Sequence, residues 1–337
     1  MVCSFFLGAN TPKGFYSLFS QLDGFDLSVV KGGSGSGKST LIKSIIEKND
    51  TSGLCERILC SSDTDSLDGA VFHNLNSAIV DGTAPHYAEV KGLGKYIATP
   101  PADAEIEAHR SALSALKNAK SKAYEEAYLS LAGYSNALKR AISIIPFDAE
   151  RFTQRAAGIV AREALTKRDD GKIHYRFIDC INHSGFSTLW NTVSNLASKI
   201  YVIESRFSLA SAFFKKLESD FKKRGYTVFS CLSPLSPEET RHIIIPELSL
   251  AFVTSDELSE YKGAHFRKIH IASYIDKTKY KAMRQKIRLC QKLSENFLND
   301  AIDSLASARL SHIEIENIYR PHLNIPALNR LIQAESI

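Results

Sequence analysis

The chain has 337 residues, 44% of them hydrophobic and 23% charged, the balance of an ordinary soluble globular protein. It is too long for one typical core, which points to two domains. The net charge of +5 comes without a dense Lys/Arg stripe interleaved with aromatics, so nucleic-acid binding is unsupported, and no run of about 18 or more apolar residues marks a membrane span.

The opening Met1-Val2-Cys3-Ser4-Phe5-Phe6-Leu7 lacks a basic segment and its apolar stretch is short, which argues against a signal peptide. Six cysteines, at positions 3, 55, 60, 180, 231 and 290, are scattered without a C-x-x-C pair. Reduced thiols in a cytoplasmic protein are the expected reading.

Leu27-Ser28-Val29-Val30-Lys31 reads as a short strand, and Leu41-Ile42-Lys43-Ser44-Ile45-Ile46 carries apolar residues at helical spacing. Between them, Gly32-Gly33-Ser34-Gly35-Ser36-Gly37-Lys38-Ser39-Thr40 satisfies the phosphate-binding pattern G-x-x-x-x-G-K-[ST] in full. The glycines permit positive φ and turn backbone N–H groups inward around phosphate oxygens. The helix starting near Lys38 aims its positive end at the same anion. Lys38 is expected to reach the β- and γ-phosphates, and the Ser39 hydroxyl to coordinate Mg²⁺.

Arg57-Ile58-Leu59-Cys60 is strand-like, and Asp63 and Asp65 follow it. They are expected on the carboxyl edge of a strand beside the phosphate loop, where open parallel sheets bind ligands. Either carboxylate suits activation of a water or acceptance of a hydroxyl proton, and the plainer alternative is a turn cap. Ala78-Ile79-Val80-Asp81 has the form of the second nucleotide motif, with Asp81 expected to hold Mg²⁺ through water. In the turn that follows, His86 is either a γ-phosphate sensor or a plain surface histidine.

A long Ala/Leu/Lys/Glu-rich helix is expected from Ala102 to about Ile145, and a second, after Pro146, from Asp148 to Lys167. The charged turn at 167–172 marks the boundary between domains 1–168 and 169–337. Thr166-Lys167-Arg168-Asp169 matches the guanine-specifying N/T-K-x-D by letter but follows a helical segment, so ATP is the expected nucleotide.

The second half repeats the first. Shifted by 171, Phe6, Gly14, Phe15 and Leu18 fall on Phe177, Gly185, Phe186 and Leu189. Leu27–Val30 matches 200–203, residues 39–45 match 211–217, residues 57–60 match 227–230, and residues 74–80 match 247–253. Helices from Lys277 to about Ser307 and around Pro321 and Pro326 close the second copy as a helical hairpin. The expected fold is therefore α/β, two tandem parallel-sheet domains like those of P-loop NTPases, each followed by a helical hairpin.

The copies differ where chemistry is expected. Against the phosphate loop stands Glu204-Ser205-Arg206-Phe207-Ser208-Leu209-Ala210-Ser211, without glycines and with Ala210 in place of Lys38. On this alignment Asp63 meets Ser233, Asp65 meets Leu235 and Asp81 meets Thr254. One nucleotide site and one degenerate half are expected.

Taken together, Asn10-Thr11-Pro12-Lys13-Gly14-Phe15, the loop itself, the run at 60–69, Asp81-Gly82-Thr83-Ala84-Pro85-His86 and Ile245-Pro246-Glu247-Leu248 resemble an uncharacterised bacterial family of tandem P-loop ATPases. The resemblance covers most of the chain and implies this fold and an ATPase activity. Such proteins usually carry the loop in both halves, and this chain departs from them in the second.

The function expected is Mg²⁺-dependent ATP binding with slow hydrolysis, through Lys38, Asp63 and Asp81, with an arginine from Arg206, Arg151, Arg155 or another chain. The alternatives are a small-molecule or nucleotide kinase, and a nucleotide-gated scaffold binding a protein partner through the hairpins. An oligomer is compatible with each.

Overall fold

The computed structural model describes residues 2–33, 35–49, 55–83, 88–165, 170–205 and 207–335. In the first half come β1 (Val2–Phe5), β2 (Gly8–Thr11), β3 (Gly14–Ser17), β4 (Asp26–Lys31), α1 (Lys38–Asn49), β5 (Cys55–Leu59), β6 (Leu67–Phe72), β7 (Ser77–Asp81) and β8 (Tyr96–Ala98). Two helices, α2 (Arg110–Ile144) and α3 (Ala149–Glu163), close it. In the second half come β9 (Ile173–Arg176), β10 (Asp179–Asn182), β11 (Gly185–Thr188), α4 (Trp190–Leu196), β12 (Lys199–Glu204), α5 (Ser211–Lys223), β13 (Val228–Ser233), β14 (Ser236–Ile245), β15 (Leu250–Ser255) and β16 (Arg267–His270). There, α6 (Lys277–Tyr319) and α7 (Ile325–Ala334) follow.

The fold is α/β, and its two six-stranded sheets share one order, β1-β5-β6-β7-β4-β8 and β9-β13-β14-β15-β12-β16. The sheets are mixed, which corrects the expectation of parallel ones. β6 runs antiparallel to β5 and β7, and β14 antiparallel to β13 and β15. The cause is connection length. His73–Leu75 and Pro246–Leu248 are 3-10 turns closed by Asn76 (φ 49°) and Ser249 (φ 48°) in the left-handed region. So short a link reverses the chain, whereas a parallel neighbour needs a crossover of about a dozen residues.

The ladders also correct the alignment of the halves. Glu56 pairs with Val71 and Val71 with Ala78; 173 residues on, Phe229 pairs with Ile244 and Ile244 with Ala251. Arg57 therefore corresponds to Ser230, three residues beyond the Thr227 expected from sequence. Asp63 and Asp65 lie in a loop, 60–66, that the second half replaces with a direct turn, Ser233 pairing with Ser236. Their expected counterparts Ser233 and Leu235 are strand-end and turn residues instead.

Strand alternation builds a core on each face of each sheet. Leu27, Val29, Ala78 and Val80 of the first sheet, and Ile200, Val202, Ala251 and Val253 of the second, share one interior. Phe6 and Phe177, matched in the repeat, lie there and exchange backbone N–H···O bonds of 2.8 and 2.9 Å. Beside them Arg176 reaches Glu56 across the two halves at 2.7 Å, both side chains fully buried. Burial pushes the Glu56 carboxyl up, but the Arg176 guanidinium and His73 more than offset it, and the pKa falls to about 2.

On each outer face a helix of the same half, α1 or α5, is joined by one exchanged from the other half. α3 of the first half packs Phe152, Ala156, Ile159 and Val160 onto α5 and the second sheet. α7 of the second half lays Leu331 and Ile332 against Leu41, Ile42 and Ile45 of α1. Each exchanged helix is capped by the half it joins. Lys48 Nζ donates to the carbonyls of Ile332 (2.5 Å) and Glu335 (2.8 Å), and Arg224 donates to the carbonyl of Ala164. The two long helices pair antiparallel, with Lys120 on His312 (3.1 Å) and Ser130 on Asp300. Each expected hairpin is thus opened out: its long arm pairs with the other long arm, and its short arm crosses over. Gly133 permits the close approach, since a Cβ there would sit 2.6 Å from the Phe297 ring.

Phe152 is 1% exposed and stacks on Phe213 at 4.6 Å. Phe152→Ala is expected to lower unfolding free energy by about 3–5 kcal/mol in urea denaturation. A helix projecting into solvent would lose well under about 1 kcal/mol.

Candidate functional site

β4 and β7 are parallel neighbours with Val30 opposite Asp81, so the loop after β4 and the carboxylate closing β7 emerge at one sheet edge. Buried Val29 and Val30 anchor the strand, and buried Leu41, Ile42, Ile45 and Ile46 fix α1 behind the loop. Within the loop Gly35 (φ 71°) and Gly37 (φ 85°) take the left-handed conformation, which side chains disfavour. Gly37 is doubly constrained, because a Cβ there would lie 2.4 Å from Leu328 of α7. Ser34 and His86 lie outside the described residues.

Lys38 is 8% exposed and donates to the carbonyls of Gly33 (2.7 Å) and Gly32 (3.2 Å). Its ammonium is 3.8 Å from Asp81 Oδ2, while Asp81 Oδ1 accepts the Thr83 N–H at 2.8 Å. Ser39 Oγ lies 2.7 Å from Ser66 Oγ and donates to the Leu67 carbonyl at 2.9 Å. Ser36 Oγ accepts from Thr99 at 2.8 Å, and Thr40 is exposed on the first turn of α1. The donor set of loop N–H groups, one ammonium, one hydroxyl and one carboxylate is chemically suited to a phosphate chain and Mg²⁺. Ser39 and Asp81 are the residues fitted to the cation.

The loop that carries Asp63 reaches Ser39 by another route than expected. β5 is not beside β4, since β6 and β7 stand between them. The loop 60–66 folds back instead, and Ser66 ties it to Ser39. Asp63 Oδ2 accepts from Arg309 Nη2 of α6 at 2.8 Å, and its Oδ1 accepts the Asp65 N–H at 3.3 Å. Asp65 itself is exposed. A cavity of about 70 Å³ opens among Asp63, Ser66, Tyr124, Arg309 and His312. Burial pushes the Cys60 thiol at its wall well above the usual range, with Asp68 adding to it, so the thiol stays protonated.

Burial, with Lys120 and Arg309 beside it, holds His312 down at about 4. The imidazole is neutral at pH 7, and its Nδ1 accepts a hydrogen bond of 3.1 Å from the Lys120 ammonium. A second cavity, about 350 Å³, flanks the loop between Lys31, Thr99, Pro101 and Tyr319. Tyr319 and Glu316 stand over the loop: a Cβ on Gly35 would lie 3.7 Å from Tyr319 Cβ and 3.8 Å from the Glu316 backbone.

Arg309, His312, Glu316 and Tyr319 were absent from the sequence expectations. They sit on α6, far along the chain, at helical spacing that reads only as a solvated helix face. The arginines that were expected stand elsewhere. Arg151 stacks over Tyr274 at 5.4 Å and Arg155 donates to the Tyr274 hydroxyl at 3.0 Å, on the second sheet's side, and Arg206 lies outside the described residues.

The corresponding edge of the second half has different contents. Leu209 and Ala210, at the places of Gly37 and Lys38, are buried in its core, and Phe207 and Ser208 hold positive φ without glycine. Thr254, at the place of Asp81, donates to the Arg241 carbonyl at 2.8 Å, and Glu204 pairs with Lys268 at 3.1 Å. Among the described residues no helix is long and apolar enough to cross a membrane. Comparison with family models, with characterised proteins and with solved structures gives no match.

Because the folded state holds His312 at about 4, below the ordinary 6.5, acidification favours the unfolded chain, which takes the proton first. Stability is expected to be full above pH 6.5 and to fall as pH drops from 6.5 towards 4. His312→Gln should flatten that fall in urea denaturation. It should not abolish it, because burial and Arg176 hold His174 at about 4 as well.

Proposed function

We propose that this chain binds Mg²⁺ and ATP at 32–40 and hydrolyses the ATP slowly to ADP and phosphate, while its second half binds no nucleotide. One observation carries the reading: the Lys38 ammonium lies 3.8 Å from the Asp81 carboxylate on a loop whose Gly35 and Gly37 turn left-handed. Lys38 now spends its protons on the Gly32 and Gly33 carbonyls, and phosphate oxygens are the stronger acceptors. Loop N–H groups and the N-terminus of α1 would hold the phosphates, and Ser39 and Asp81 the cation. When bound, Mg²⁺ supplies neutralisation of the charge on the transferring phosphoryl group.

Asp63 is suited to orient water and take its proton, and Arg309 to bear on the γ-phosphate charge. The acceptor is read as water because the cavity beside Asp63, about 70 Å³, admits a few waters and no metabolite of ordinary size. The 350 Å³ cavity beside Tyr319 is large enough for the nucleoside.

Calorimetric titration of ATP with Mg²⁺ tests the binding. Lys38→Ala is expected to weaken it ~10–100-fold, the loss of a charge-assisted hydrogen bond or two. Equal binding by the variant, or none by the parent, would overturn the reading. In a phosphate-release assay Arg309→Ala is expected to lower turnover roughly 100-fold or more with binding largely kept. Label from γ-phosphate should appear as free phosphate, and its appearance on a metabolite would identify a kinase.

A further inference from the structure

We propose that the exposed N-terminal part of α6 is a binding surface for the phosphate backbone of double-stranded nucleic acid. The observation is one of helical phase. From Lys277 to Lys292 the chain carries seven Lys/Arg and no Asp or Glu. Five of the seven, Lys277, Lys281, Arg284, Arg288 and Lys292, fall at i, i+4, i+7, i+11 and i+15 and share one face of the helix. All five are exposed, and among the described residues none has an acidic partner. In linear order these cations are dispersed among Gln, Met and Ile; only the 3.6-residue turn collects them.

Among the described residues no hydrogen bond or ion pair engages these five side chains. The buried face of this segment, Ile287, Cys290 and Ser294, packs inward roughly 120° away round the helix. Over ~22 Å it places a cation every ~5–6 Å, a length that spans about six phosphates of one strand. A surface of this kind needs a polyanion with regularly spaced charge.

Duplex is favoured over the other polyanions by what the stripe lacks. It contains no aromatic side chain, so unpaired bases have nothing to stack on. It is flanked by Thr278, Gln285 and Gln291, and exposed Leu289 and Leu293 lie on another side of the helix, so no apolar face is presented between the cations to an anionic membrane. The contacts reach phosphates alone, and binding is therefore independent of base sequence.

The test is fluorescence anisotropy of the full chain with a labelled duplex of roughly 24 base pairs, in about 50 to 200 mM salt. Five phosphate contacts give a slope of log K against log salt of about −4.5 and roughly a 500-fold loss of affinity across that range. The neutral variant K281Q/R284Q/R288Q is expected to bring the slope to about −2. The matched variant K215Q/K222Q/K223Q, which removes the same charge from α5, is expected to leave it near −4.5. Circular dichroism melting of each variant shows whether it is folded. Four results would overturn the inference: no duplex binding at low salt, equal loss in the two variants, tighter binding of a single strand, or binding to phosphatidylserine vesicles in place of duplex.

Discussion

Each sheet shares the closing of its outer face with the other half. One helix of its own half lies there, α1 or α5, and a second comes from the other half and packs beside it. α3 lies on the second sheet and α7 on the first, and the cap on each helix end comes from the receiving half, Arg224 for one and Lys48 for the other. Burial of Phe152, Ile159 and Val160 on one side and Leu328 and Leu331 on the other is thereby made conditional on both halves being present. The halves are joined a second time at their centre, where Phe6 and Phe177 exchange backbone bonds. A third link is the fully buried Glu56–Arg176 pair, whose desolvation is offset only while both partners stay in place.

The same exchange assembles the candidate site. Its glycine-rich loop, Ser39, Asp81 and Asp63 are all of the first half, but the side chains that face them are of the second. Arg309 meets Asp63, Tyr319 and Glu316 stand over Gly35, and Leu328 presses on Gly37. The end of α6 and α7 are thus in direct contact with the loop. The opposite end of α6 bears the basic stripe, and α2 braces the helix between them.

The two halves differ in a way that a pairwise alignment understates. At the phosphate loop the change is one of filling, since Leu209 and Ala210 sink into the second core where Gly37 and Lys38 line the first site. At Asp63 it is one of backbone form, because the second half has a tight hairpin turn where the first has the loop 60–66. Thr254 in place of Asp81 keeps the strand and turns its hydroxyl to a neighbouring carbonyl. The strand order is common to both, as expected where buried apolar alternation is kept and edge chemistry is not.

Much of this was legible in the sequence, because it depends on near neighbours. The phosphate loop is a strand, six residues and a helix in succession, and its glycines are required by local φ. The repeat was visible because buried strands and the turns between them keep their spacing. Strand direction was not, since Leu67–Phe72 carries Asp68 and Gly69 and has little strand character of its own; its place comes from β5 and β7 on either side. The exchange of helices was not legible either. An amphipathic helix shows that it has an apolar face, and not which sheet that face will cover. Nor was Arg309 legible, because its approach to Asp63 spans 246 residues and is produced by the pairing of α2 with α6. By itself the sequence determined the glycine-rich turn between β4 and α1, the repeat and the long helices, all set by local conformation and burial. Only the tertiary structure decided strand direction, the crossing of the arms and the second wall of the site, because each depends on contacts between segments that are distant in the chain.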